Sequence, residues 1–277
     1  MMRMRPIWTR IAMGVLGLGA AAFLFPFVWM VAFSIKPTSE IFTGSLNLLP
    51  SSLEGLANYT RALDMQPLML FVANGLFVCA AILFFQILFA APCAYALAKL
   101  RFRGREALFG LVLFGLLIPI QITSLPIYLM FSGVKILDSY TALIAPFTAS
   151  VFGIFLFRQF FKTVPDDLIN AARLDGLSEI DIVLRVVLPL TAPAATAFGI
   201  FSVVAHWNDL FWPLIVTRSQ ALYTPPLGIL GFRSAEAGDS YGELMAATVI
   251  ITAPLVLAFL MAQRRFIEGI SMGALKG

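Results

Sequence analysis

Residues 167–181, DLINAARLDGLSEID, are dense with charge in a chain where charge is scarce, and very hydrophobic segments lie on both sides. The stretch reads as two short helices joined by a tight turn. Pro165 is placed as a first helical residue, and Asp166 and Asp167 fall in the first turn, where the helix dipole favours negative charge. Leu168, Ala171 and Ala172 then recur at helical spacing, and Gly176 follows Asp175 where a left-handed C-terminal residue is wanted. A second helix starts at once: Ser178 is its expected N-cap, Asp181 takes the third helical position in a capping-box-like arrangement, and Leu177 and Ile182 are placed for a hydrophobic staple. Pro189 is expected to end it. The stripe with two consecutive alanines suits close approach of another surface; an amphipathic helix pair lying on the membrane surface fits the same pattern.

Moving outward, 60% of the 277 residues are hydrophobic, 12% are charged and the mean hydropathy is +0.91. That is more apolar surface than a water-soluble domain could bury, so the chain is an integral membrane protein. A helix needs about 20 apolar residues to span a hydrocarbon core of ~30 Å while satisfying its own backbone. Segments 11–35, 67–98, 107–131, 139–156, 191–206 (with a possible continuation to 216) and 244–262 meet that test, which predicts six spans. The first is too long for a signal-peptide core and is read as retained. Pro119, Pro126, Pro146 and Pro254 fall inside spans and predict bends, by packing or for opening and closing. No linker, low-complexity tract or repeat divides the chain, so one transmembrane domain over 1–277 is expected. Its loop at about 158–190 lies between the fourth and fifth spans, and the segment 36–66 forms the longest external connection.

Charge supplies the orientation. Arg3, Arg5, Arg10, Lys99, Arg101, Arg103, Arg105, Arg158, Lys162, Arg173, Arg185, Arg264, Arg265 and Lys276 fall on one side, against Lys36, Arg61, Lys135, Arg218 and Arg233 on the other, a split of 14 to 5. Positive residues near span ends stay inside, which places both termini and the quoted stretch in the cytosol. The net charge of +4 is thus a topology signal, and basic residues scattered over short loops exclude a nucleic-acid surface. Cys79 and Cys93 lie in one predicted helix about 21 Å apart and read as small apolar fillers. No metal-ligand spacing and no catalytic constellation are present, and no GxxxxGK[ST] loop exists to hold ATP; Lys162-Thr163 lacks the glycines.

PDDLINAARLDGLSEIDIVLRVVLPL resembles the EAA loop of binding-protein-dependent ABC importers, in the form found in sugar permeases related to the maltose system. AYALAKLRFRGREALF, LDSYTALIAPFTASVFGIFLFRQFF, HWNDLFWPL, TPPLGILGF and QRRFIEGISMGALKG also look like segments of that family, so the likeness covers nearly the whole chain. It implies an all-α type I ABC importer permease fold, with six transmembrane helices, in a bacterial inner membrane. It further implies coupling helices that dock on a separate ATPase, with Asn170, Ala171, Ala172, Asp175, Gly176 and Pro189 in the motif positions and Lys276 in a tail that also reaches the ATPases. Where the family usually has Glu, this chain has Asn170, so the motif carboxylate is missing. The implied partners are a second homologous permease, two ATP-binding subunits carrying the ATP and Mg, an external solute-binding protein and membrane lipid. No cofactor is expected in the chain itself.

The rival class is an ion-coupled secondary transporter of a small polar solute, which commonly places acidic or basic residues near mid-membrane. The centres of the first, second, third, fourth and sixth predicted spans lack them, leaving only His206 and Asp209. A membrane-embedded enzyme is poorly served by a single histidine. The segment 205–214, AHWNDLFWPL, is the richest polar and aromatic cluster near a span. Trp207 or Trp212 could stack on a sugar face while Asn208 and Asp209 hydrogen-bond it; an interfacial aromatic belt with helix-ending polar residues is the other reading. His206 is expected to be structural. By resemblance the solute is a mono- or oligosaccharide, a polyol or a glycerol phosphate.

Overall fold

A computed structural model describes residues 6–41, 47–233 and 241–274. The described residues form helices joined by turns and short connections and contain no strand. In chain order the helices are α1 Pro6–Ser34, α2 Ala57–Met65, α3 Leu68–Lys99, α4 Arg105–Gly115, α5 Ile120–Gly133, α6 Tyr140–Ile144, α7 Val151–Phe161, α8 Asp166–Leu174, α9 Glu179–Ile182, α10 Leu188–Leu190, α11 Ala192–Trp207, α12 Phe211–Val216, α13 Pro225–Ile229 and α14 Tyr241–Ala274. Three helical stretches are long and apolar enough to cross a membrane alone: Thr9–Ser34, Leu68–Lys99 and Tyr241–Gln263. Three further bent pairs raise the number to six if each is one span.

Those bends break the third and fourth predicted spans, where prolines predict bends, and set the charged segment Glu179–Leu190 at an angle ahead of the fifth. The third is Arg105–Gly115 and Ile120–Gly133, turned by 94°. Pro119 sits at the N-cap of α5 with ψ 143, and the residue before a proline is pushed out of the helical region, so the break falls at 116–119. The fourth pair, Tyr140–Phe147 and Val151–Phe161, bends by 43°. Ser150 restarts it, its hydroxyl accepting the Gly153 N–H at 3.0 Å. The fifth pair bends by 87° between Glu179–Leu190 and Ala192–Trp207. Pro189 therefore does not end the second short helix. A π turn, Val183–Val187, lies between α9 and α10, so the helical path runs past the proline and breaks at Thr191. Proline cannot supply the N–H that an α-helix would send back four residues, and a local change of register is one way helices absorb that loss.

The chain divides into two compact units, Met1–Met69 with Ile229–Ala253, and Leu70–Gly228 with Pro254–Gly277. In the first, the buried Asn58 donates to the carbonyls of Ser34 and Lys36, both at 3.0 Å. Arg61 bridges Asn58 Oδ1 at 2.6 Å and Glu243 at 2.7 Å. These bonds tie down the connection expected to be external. The second unit holds two apolar cores. One gathers Ala90, Ala91, Ala94 and Tyr95 of α3, Phe157 and Phe161 of α7, Phe198 of α11, and Ile169, Ala172, Ile182, Val183 and Val187 of the charged stretch. The other packs Val78, Ile82, Phe131, Ala142, Leu143, Trp212 and Val216.

Candidate functional site

The charged stretch is seated on the first of these cores. Ile169 and Ala172 point inward, 2% and 7% exposed, and burying a side chain the size of isoleucine contributes roughly 1.5–3 kcal/mol. Of the consecutive alanines only Ala171 faces out; Ala172 belongs to the chain's own core. The helix begins one residue later than the sequence suggests. Pro165 is the N-cap, with φ −60 and ψ 137, and α8 follows from Asp166. Its other end closes as read. The Gly176 N–H bonds the Arg173 carbonyl at 3.0 Å and the Leu177 N–H bonds that of Ala172 at 3.1 Å, a complete Schellman motif around Gly176 at φ +83. Ser178 caps α9, accepting the Asp181 N–H at 3.2 Å and donating its hydroxyl to Asp181 Oδ2 at 2.6 Å.

Charged side chains then fasten the turn to the foot of α3. Tyr95 donates to Glu179 Oε2 at 2.6 Å, and Arg173 grips the same carboxylate with Nε at 2.8 Å and Nη2 at 3.2 Å. Arg173 Nη1 also donates to Asn170 Oδ1 at 3.1 Å. The hydrogen bonds from Arg173 and Tyr95 hold the Glu179 carboxyl below its usual range. Lys99, the last residue of α3, donates to the Val164 carbonyl and to Asp166 Oδ1, both at 2.6 Å, which likewise lowers Asp166. Nearby, the buried Arg158 donates to the Leu97 carbonyl at 3.1 Å, pairs with Glu106 at 3.4 Å and lies 3.6 Å from the Phe109 ring centre. A buried guanidinium is tolerated only with such partners. None of these links was legible beforehand, since Tyr95 and Glu179 are 84 residues apart.

Of the motif residues, Asn170, Ala171, Asp175, Gly176 and Pro189 are exposed and Ala172 is buried; Lys276 lies outside the described residues.

In the segment 205–214 the residues separate. Trp212 is 1% exposed, donates its indole N–H to the Ala142 carbonyl at 2.9 Å and meets Phe131 and Phe147 edge-on. Trp207 is buried against Gly75, where an added Cβ would stand 3.2 Å from its ring. Asn208 is exposed and donates to the Val204 carbonyl at 2.8 Å, while Asp209 accepts the Trp212 N–H at 3.3 Å. Both polar residues thus also close helix ends. His206 joins a polar knot that the sequence reading missed: its Nε2 is 3.2 Å from Gln86 Nε2, which also donates to the Phe147 carbonyl at 3.0 Å, while Ser202 donates to Gln86 Oε1 at 2.6 Å. A glutamine in the middle of a long, mostly apolar helix is the signal that could have found it. Among the described residues no group of His, Cys, Asp and Glu could hold a metal.

Broken apolar helices that carry a charged helix-turn-helix describe a multi-pass membrane protein. The chain belongs to the family described as the binding-protein-dependent transport system inner membrane component, whose profile matches residues 86–271. It is 34% identical, over 92% of its length and 91% of the relative's, to the arabinooligosaccharides transport system permease protein AraQ of Bacillus subtilis. It is 29% identical to the lactose transport system permease protein LacG of Rhizobium radiobacter, covering 95% of this chain and 94% of that one. Its fold matches a chain of a bacterial ABC transporter that imports the acidic polysaccharide alginate, with a TM-score of 0.81 at 24% identity, over 94% of this chain and 96% of the other. The fold is that of a type I ABC importer permease.

Proposed function

We propose that this permease carries a sugar or sugar-like solute inward as one half of a heterodimeric pore, working with a second homologous permease, two ATP-hydrolysing subunits and an external solute-binding protein. The observation that carries this reading is a helix-turn-helix fixed to its own core on one face and exposed on the other, as a lever between a motor and membrane helices requires. Sugar specificity is supported by relatives named for arabinooligosaccharide and lactose transport. The whole chain acts as one transmembrane domain, with both termini and residues 158–190 in the cytosol, as the 14 to 5 distribution of basic residues favours.

Asn170, Ala171, Ala172, Asp175, Gly176 and Pro189 form the coupling element, with Lys276 in the tail contact; Ala172 acts from within, by seating α8. Trp207, Asn208, Asp209 and Trp212 form this chain's share of the solute path. Exposed Asn208 meets solute, while the two tryptophans and Asp209 hold the wall behind it. ATP and Mg bind the partner subunits. Their closure around ATP turns the pore outward to receive solute from the binding protein, and hydrolysis resets it; such switching requires each ligand to bind one state better than the other.

Proteoliposomes holding the four-component assembly test this. Uptake of radiolabelled oligosaccharide should require ATP and the binding protein and vanish when the ATPase is left out. Uptake that persists without any ATPase and follows an imposed ion gradient would replace this reading with that of a secondary transporter.

A further inference from the structure

Within residues 165–190 lie five carboxylates and two arginines. Three of the carboxylates are consumed inside the chain: Asp166 by Lys99 at 2.6 Å, Glu179 by Arg173 at 2.8 Å and Asp181 by Arg185 at 3.2 Å. Asp167 and Asp175 are exposed, and their carboxylates engage no other group among the described residues. Between them stands Leu174, 90% exposed, the most exposed large apolar side chain of the described residues. Asp167, Asn170, Ala171 and Leu174 follow one another at intervals that place them along one face of α8, opposite the inward-facing Ile169 and Ala172, and Asp175 adjoins them at its end. Asp175 sits against the negative end of the helix, where a carboxylate is disfavoured, so the helix itself gives no reason for it. An apolar tip flanked by two unpaired charges of one sign is a surface built for a complementary partner.

We propose that Asp167, Leu174 and Asp175 are the contact patch of the coupling element, and that the ATPase it meets offers an apolar socket rimmed by basic side chains. The negative charge missing at Asn170 is supplied three residues earlier by Asp167 and five residues later by Asp175. This rests on the coupling reading above and names the chemistry of the partner surface.

The test uses the full permease pair and the ATPase subunit that supports ATP-driven uptake with it in proteoliposomes. Wild-type affinity for that ATPase should fall as salt is raised. D167N/D175N should bind roughly tenfold to a hundredfold more weakly, up to one tenfold step for each of the two lost charge-assisted contacts, and should lose most of the salt dependence. Both side chains are exposed and unpaired, so the variant keeps its fold. D167N/N170E should regain part of the affinity by restoring a carboxylate to the same face. In parallel, Leu174→Cys in a background with Cys79→Ala and Cys93→Ala should cross-link to the ATPase. Unchanged affinity and salt response in D167N/D175N, with the cross-link formed, overturns the charge assignment and leaves the coupling reading standing. Absence of the cross-link in an active transporter overturns the coupling reading itself.

Discussion

Gly176 is the residue on which the coupling turn depends. At φ +83 an added Cβ would meet nothing within 4 Å, so the strain of a substitution is conformational and not steric. A β-branched residue there costs about 1–2 kcal/mol, whereas asparagine tolerates the left-handed region. Gly176→Val should raise the ATP hydrolysed per solute imported, and Gly176→Asn should stay near the wild-type ratio; coupled transport in the valine variant would count against the lever. Gly153 shows the opposite kind of constraint. A Cβ at that position would lie 2.9 Å from the Phe198 ring and 3.2 Å from Ala90. Gly153→Val should therefore lower the unfolding free energy by roughly 1–3 kcal/mol through overpacking, read as a reduced melting temperature in detergent. The positive φ of Gly176 could be read from its place after Asp175. The crowding at Gly153 could not, because it arises from helices far away in sequence.

At the scale of the element, the clamp formed by Tyr95, Arg173 and Glu179 sets a pH response. Glu179 is held below its usual range chiefly by the hydrogen bond from Arg173, and Asp166 chiefly by that from Lys99. A carboxylate whose folded pKa is depressed stabilises the fold above its unfolded pKa and loses that contribution as pH falls through the folded value. Since Glu179 remains nearly half exposed, solvent screens the pair and its share of stability is modest. The turn should thus loosen below about pH 4. Hydrogen exchange across residues 166–182, corrected for intrinsic rates, should accelerate there beyond the rest of the helices. Glu179→Gln should be loosened already at neutral pH and respond less to acid. An equal response in the two proteins would remove the clamp from the account. The Gly176 and Ser178 caps that flank the turn were legible, because capping is a matter of neighbouring residues. The clamp was not, because it joins the foot of α3 to a turn 84 residues later.

For the whole molecule, orientation is the property that charge alone suggests. In intact cells holding the permease with Cys79→Ala and Cys93→Ala and without its ATPase, a membrane-impermeant maleimide should label Arg218→Cys, and it should reach Leu174→Cys only after permeabilisation. Labelling of Leu174→Cys in intact cells, with Arg218→Cys reached only after permeabilisation, would invert the reading of the basic loops. The breaks at 116–119 and 148–150 show where hydropathy misleads: each of those two bent pairs reads as one apolar run, since apolarity records what faces lipid or core and carries no direction, whereas the break at Thr191 falls where the charged stretch gives way to an apolar run. Prolines raised the expectation of bends; only the packing decided that two of them approach a right angle, at 94° and 87°.

By itself, the sequence determined that this is a helical membrane protein, where its apolar runs fall, that it carries a capped charged helix pair, and which permease family it resembles. Hydropathy, charge sorting and capping are local, so they survive in a one-dimensional string. Tertiary structure alone decided that Ala172 turns inward while Ala171 turns out, that Arg158 and Gln86 are buried with partners, and that Asp167 and Asp175 are left free. Those outcomes depend on which distant groups come within hydrogen-bonding distance once the helices pack, and no neighbouring residue records that distance.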